Sequence, residues 1–105
     1  MKTGLKNVFP KSKRIEDDEV LSQIRSYPCT ICLAPAPSQA CHWHSKGAKG
    51  DDTLENLYSA CFTHHREQHD QGIKTFYEKY KEKTKTFRRI FNLPDLDIWW
   101  EDEVT

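Results

Sequence analysis

Residues 61–69 read CFTHHREQH, and residues 29–32 read CTIC. The first stretch contains a CxxH pair and the second a CxxC pair, and each spacing lets one turn present two ligands to one metal ion. Together the pairs supply the three thiolates and one imidazole of a tetrahedral site, which zinc prefers. The sequence therefore predicts a structural Zn²⁺ bound by Cys29, Cys32, Cys61 and His64. The alternative is two unrelated pairs of free cysteines.

The same stretch contains more histidines than one zinc site needs. His65 and His69 are four residues apart, so on a helix they share one face, whereas His64 is rotated from His65 by about 100°. Adjacent histidines can thus serve two different metal ions. The alternative is a solvated helix face that happens to carry imidazoles.

Composition favours one small domain stabilised by metal. The chain has 105 residues, of which 36% are hydrophobic and 30% charged. A core this small usually needs a metal or disulfides. We find no signal peptide and no membrane span, so we expect a cytoplasmic, reducing environment in which cysteines bind metal. The sequence divides into a basic arm at 1–14, a domain at 15–93 and an acidic, aromatic tail at 94–105. Zero net charge gives nucleic-acid binding no overall support, although the arm is locally basic.

The predicted elements alternate between helix and extended chain. Capping, periodicity and the positions of proline and glycine predict the following order: a helix near 16–26, a strand at 38–45, a loop at 46–52, an apolar stretch at 54–60, a helix from 62 or 63 to about 70, and helical turns near 76–80 and 87–91. The expected class is a small, metal-stabilised α+β fold.

A further group of histidines precedes the glycine-containing loop. In a strand, His42 and His44 face one side while Cys41 and Trp43 face the other. Imidazole suits a general base because its pKa lies near neutrality. For His44, a simple surface position is the alternative.

The combined order of these motifs resembles that of the HNH endonuclease family, which has a ββα-metal (His-Me finger) fold. The resemblance consists of CxxC, then CH before a glycine-containing loop, then Asn-Leu, then CxxHHxxxH. It covers about residues 15–80 and is densest over 40–72. The stretch SKGAKGDDTLENLYSACFTHHREQH is similar in sequence to small HNH proteins encoded by phages and prophages.

The resemblance implies a DNA phosphodiester hydrolase that leaves a 5′ phosphate. His42 is then the general base, and Asn56 holds the base or the metal site in orientation. His65 and His69 bind a catalytic divalent ion, which is Mg²⁺ or another metal such as Mn²⁺ or Zn²⁺. The expected partner is DNA, read with little sequence specificity. Lys46 and Lys49 are candidates to contact its backbone phosphates, with simple solvation as the alternative, and His44 is a candidate phosphate contact or an additional metal ligand.

Cys41 departs from the family pattern, which often has Asp or His before the base. A thiolate suits zinc better than magnesium, so one alternative is that Cys41 binds a softer catalytic metal. The other is that Cys41 is simply buried and that water and phosphate oxygens complete a two-histidine site. The departure also leaves open a catalytically inactive, zinc-stabilised module that binds DNA or protein.

The C-terminal tail has two interpretations. Trp99 and Trp100 either pack back on the small core or form a docking peptide for a protein partner.

Overall fold

The computed structural model of the chain describes residues 15–43, 50–98 and 100. The described helices and strands are α1 at Asp18–Arg25, β1 at Gln39–His42, β2 at Leu57–Ala60, α2 at Phe62–Gln71 and α3 at Ile73–Ile90. A 3-10 turn at Leu54–Asn56 leads into β2. The predicted α+β class is confirmed, as a two-stranded sheet with three helices within the described residues. The predicted arm at 1–14 lies outside them.

Asp17 begins α1, because its carboxylate accepts hydrogen bonds from backbone N–H groups of the first turn. Ile24 is fully buried and fixes the helix on the core. Ser26 ends the helix by donating both its backbone N–H and its hydroxyl to the carbonyl of Gln23. The helix predicted near 16–26 is therefore present, with slightly shorter bounds.

The two strands form an antiparallel sheet in which Gln39 pairs with Ala60 and His42 pairs with Leu57. Every residue of β2 is buried, because α1 and α2 both pack against the sheet. The strand predicted at 38–45 is observed at Gln39–His42, and positions 44 and 45 lie outside the described residues. The apolar stretch predicted at 54–60 contains both the 3-10 turn and β2.

Gly72 separates α2 from α3. Its φ is 90°, a value that residues with a side chain rarely adopt. Glycine at this position therefore allows the chain to turn between the two helices without strain. The two helical stretches predicted after it lie in one helix of 18 residues, which is kinked at Tyr80. The sequence does not show that the two stretches are continuous, because residues 81–86 between them are all polar and have no apolar periodicity. Only Thr84 among them is buried. No helix in the described part of the chain has the length and apolar character of a membrane span.

Trp43 lies at the centre of an aromatic cluster. Its ring meets Tyr58 and Tyr77 edge-on at centroid distances of 5.6 and 5.4 Å, and stacks on Trp100 at 5.8 Å. Trp100 is only 7% exposed. The chain therefore returns to its core at this point, and the packing interpretation holds for Trp100. Trp99 lies outside the described residues.

Arg88 connects α3 to the start of β2 and to the C-terminal segment. It is 2% exposed, and its guanidinium donates to the carbonyls of Leu54, Leu57 and Pro94. Burial lowers its pKa to about 10, which still leaves the group charged at neutral pH. The three carbonyl contacts satisfy a buried charge that would otherwise be costly.

Replacing Arg88 by methionine should therefore lower the free energy of unfolding by about 2–4 kcal/mol, because buried carbonyls lose their donors. Arg89→Met is the matched control, since Arg89 is exposed on the same turn and should change stability by less than about 0.5 kcal/mol. Urea unfolding of zinc-saturated protein measures both. Equal effects of the two substitutions would contradict the assigned role of Arg88.

Candidate metal centres and active site

Four potential ligands converge where the CxxC turn meets the start of α2. The ligand atoms of Cys29, Cys32, Cys61 and His64 all lie within 4.8 Å of one another. His64 Nδ1 is 3.7 Å from Cys29 Sγ and 3.3 Å from Cys61 Sγ, and Cys32 Sγ is 3.9 Å from Cys61 Sγ. A zinc tetrahedron with bonds of about 2.3 Å to sulfur has edges of about 3.8 Å. These residues are thus positioned to bind a metal ion, and four protein ligands are typical of a structural zinc.

The CxxC turn is shaped by hydrogen bonds to sulfur. Backbone N–H groups of Ile31 and Cys32 point to Cys29 Sγ at 3.4 and 3.5 Å. Burial acts to raise the pKa of Cys29, but bonds from backbone N–H groups, that of Cys32 first, lower it below the usual value. The turn is joined to β2 because Thr30 N donates to the carbonyl of Ser59 at 3.0 Å. The local backbone therefore favours the thiolate that zinc needs.

Glu67 stands behind the imidazole of His64. Its Oε1 is 3.9 Å from His64 Nε2, and its carboxylate is held by Lys79 Nζ at 2.7 Å and by the Tyr80 hydroxyl at 2.8 Å. The hydrogen bond from Lys79 is the main cause of a lowered Glu67 pKa. At 3.9 Å the contact with His64 is electrostatic and not a hydrogen bond. Glu67 thus links the cluster on α2 to α3.

His65 and His69 turn their imidazoles towards each other on α2. Their Nε2 atoms are 3.2 Å apart. Two nitrogens about 2.1 Å from one metal ion are about 3.0–3.4 Å apart at octahedral or tetrahedral angles. The pair therefore has the spacing of two ligands of one metal ion, as well as that of a hydrogen bond between two imidazoles.

Gln39 fixes the orientation of His65. Its Oε1 accepts a hydrogen bond from His65 Nδ1, which leaves the lone pair on Nε2 facing His69. Burial, followed by the neighbouring imidazoles of His69 and His42, lowers the pKa of His65. Its ring thus stays neutral to lower pH than an ordinary histidine. Sequence reasoning missed Gln39, because nothing in the spacing of residues 39 and 65 signals their contact.

His42, at the end of β1, is paired with a buried acid. Its Nε2 lies 2.7 Å from Asp52 Oδ1, and the two side chains are 33% and 2% exposed. Gln39, on the same strand, contacts His65, so the strand that ends in His42 packs against the helix that carries His65 and His69. Sequence reasoning also missed Asp52. The acidic pair after the glycine-containing loop was the available signal.

Asn56 holds together the two ends of the loop between the strands. Its side-chain Nδ2 donates to the carbonyl of Asp51 at 2.8 Å, and its own carbonyl accepts from Trp43 N at 2.7 Å. Asn56 is 5% exposed. The three loop residues predicted to contact phosphate lie outside the described residues, namely His44, Lys46 and Lys49.

Cys41 points into the hydrophobic core. It is 1% exposed, packs in the same cluster as Trp43 and Tyr58, and its Sγ is 3.6 Å from the carbonyl of Gln39. Burial raises its pKa to about 12, which favours the thiol over the metal-binding thiolate. As a ligand of the catalytic metal, Cys41 stays a prediction, and its burial counts against it.

No protein-family model, curated protein or solved structure matches the chain. The resemblance to the HNH family therefore rests on the sequence motifs alone. In the described part of the chain, the Cys3His set is the one group of three or more metal-binding side chains that converge.

Zinc analysis of cysteine variants tests this centre. We expect about one tightly bound zinc ion per chain in the wild type, and loss of tight binding in Cys32→Ser, because a tetrahedral site loses a thiolate. Cys32 is exposed, so the substitution itself disturbs little packing. Cys41→Ala is the matched control and should retain the zinc. Retention by Cys32→Ser, measured by mass spectrometry under native conditions, would contradict the assignment.

Proposed function

We propose that the protein is a metal-dependent endonuclease of the HNH type that hydrolyses DNA phosphodiester bonds. The observation that carries this proposal is that the strand ending in the part-exposed His42 packs, through the contact of Gln39 with His65, against the helix that carries the pair of imidazoles. The elements β1, β2 and α2 also follow one another in the order that the family resemblance implies. Such a combination would supply a base and a metal site to one phosphate.

In the proposed reaction, His42 accepts a proton from water as the water oxygen bonds to phosphorus. The bond from phosphorus to the 3′ oxygen breaks, and this oxygen takes a proton from solvent, leaving a 5′ phosphate. A divalent metal ion bound by His65 and His69 would stabilise negative charge on the phosphate and on the departing oxygen. Asn56 joins Asp51 to Trp43, the residue that follows His42.

The donor atoms also bear on the identity of the catalytic metal. Imidazole nitrogen suits Mn²⁺, Ni²⁺ or Zn²⁺ better than Mg²⁺, which prefers oxygen ligands. The described residues offer no third side chain in a cluster with His65 and His69. Water and phosphate oxygens would complete the coordination. We therefore expect transition metals to support cleavage better than Mg²⁺ at equal concentration.

The Cys3His site has a structural part in this proposal. It fixes the first turn of α2 against the CxxC turn, and so sets the direction in which the helix presents His65 and His69. A site with four protein ligands has no open position for substrate. Zinc there would support the active site without taking part in the chemistry.

DNA is the substrate that the sequence following His42 favours. Lys46 and Lys49 lie between Trp43 and Asp51 in the sequence, and Asn56 contacts both of those flanking residues. Lysines so near the base in sequence would contact backbone phosphates, which carry no sequence information. Cleavage with little sequence preference is expected.

Plasmid nicking tests the activity. Wild-type protein with zinc bound should nick supercoiled DNA when Mn²⁺ or Ni²⁺ is added, and His42→Ala should lower the rate by about 10²–10⁴-fold because the base is lost. His69→Ala should raise the metal concentration needed for cleavage. Zinc content and melting temperature verify that each variant is folded. If the wild type cleaves neither DNA nor RNA with any of these metals, the proposal fails and the zinc-stabilised binding module replaces it.

The affinity of Gln39→Leu for a divalent metal ion tests the proposed site at His65 and His69. Loss of the hydrogen bond to His65 Nδ1 should weaken Mn²⁺ or Ni²⁺ binding by about 10–100-fold, because the ring and its tautomer are no longer fixed. Titration calorimetry on zinc-saturated protein measures this. Gln23→Leu makes the same chemical change on α1, where Gln23 contacts Tyr27, and should leave the affinity unchanged. Unchanged affinity in Gln39→Leu would argue against the site.

A further inference from the structure

Asp52 determines which nitrogen of His42 carries the proton. Its Oδ1 lies 2.7 Å from His42 Nε2. An ionised carboxylate only accepts hydrogen bonds, so the hydrogen between the two groups belongs to Nε2. A neutral imidazole protonated on Nε2 has its lone pair on Nδ1. The contact thus selects one of the two tautomers of His42.

The carboxylate of Asp52 is itself fixed by the chain that leads into α1. Its Oδ2 accepts from the backbone N–H of Asp17 at 2.9 Å, and its own N–H donates to the carbonyl of Ile15 at 2.9 Å. The side chain is 2% exposed. Oδ2 therefore faces a backbone N–H, which can only donate a hydrogen bond. Oδ1 faces an imidazole nitrogen, which can either donate or accept one.

We propose that Asp52 is a positioning residue that keeps the proton of His42 on Nε2 and leaves Nδ1 free to accept a proton. The assignment of the tautomer stands on the hydrogen bonds alone. The use of Nδ1 as the base towards water rests on the proposed nuclease function. A third of the His42 side chain is exposed, so water can reach the ring.

The substitution Asp52→Asn separates this role from simple packing. Asparagine has nearly the same shape but only one acceptor oxygen, and Asp17 N requires that oxygen. The amide NH₂ then faces His42 Nε2, which must become an acceptor. The proton moves to Nδ1, and the nitrogen that was free to act as a base is blocked. A comparable exchange beside a catalytic histidine lowers turnover on the order of 10⁴-fold.

The experiment is long-range ¹H–¹⁵N NMR of the imidazole rings in the full-length, zinc-loaded protein, at a pH well above the pKa of an ordinary imidazole. His42→Gln assigns the His42 signals by their loss. We expect the wild type to show the proton on Nε2 and Asp52→Asn to show it on Nδ1. Asp51→Asn is the matched control, because that carboxylate contacts Ile15 N and not His42, and it should leave the tautomer unchanged.

A wild-type proton on Nδ1, or an unchanged tautomer in folded Asp52→Asn, would overturn the proposal. If Asp52→Asn does not fold, the wild-type spectrum still decides which nitrogen carries the proton. In the plasmid assay, Asp52→Asn should lower kcat on the order of 10³-fold or more while KM changes little. Absence of cleavage by the wild type would count against the nuclease function, and the NMR result would still decide the role of Asp52.

Discussion

The convergence of Cys29, Cys32, Cys61 and His64 is the constraint on which the rest of the molecule depends. The described part of the chain has a two-stranded sheet and three helices, and such a small core gains little stability from burial alone. The ligands join segments that are distant in sequence, at the point where α2 begins. The direction of α2, and with it the position of the imidazoles of His65 and His69, follows from that junction.

Much of this arrangement could be predicted from the sequence because its geometry is local. The spacings of the CxxC and CxxH pairs describe single turns, and the four-residue interval from His65 to His69 describes one helical face. The cap of α1 and the stop at Gly72 are equally local signals. Such spacings can be interpreted without knowing which distant segment of the chain packs against them.

The two hydrogen bonds that orient the imidazoles could not be predicted in the same way. Gln39 and His65 are separated by 26 residues, and the contact of His42 with Asp52 bridges a loop of the chain. Both contacts depend on how strand, loop and helix meet in three dimensions. The burial of Arg88 could not be predicted either. A charged residue is normally expected on the surface, and its three carbonyl partners are known only from the structure.

One helix carries His64, a ligand of the Cys3His site, together with His65 and His69, the ligands proposed for a second metal ion, and this limits how the gene segment for residues 61–69 can change over evolution. The side chains of Phe62, Thr63 and Arg66 are exposed to solvent, so substitutions at these positions disturb no packing. An inserted or deleted codon between His65 and His69 would rotate the two imidazoles apart by about 100°. We therefore expect point changes to accumulate in this segment while its length stays constant.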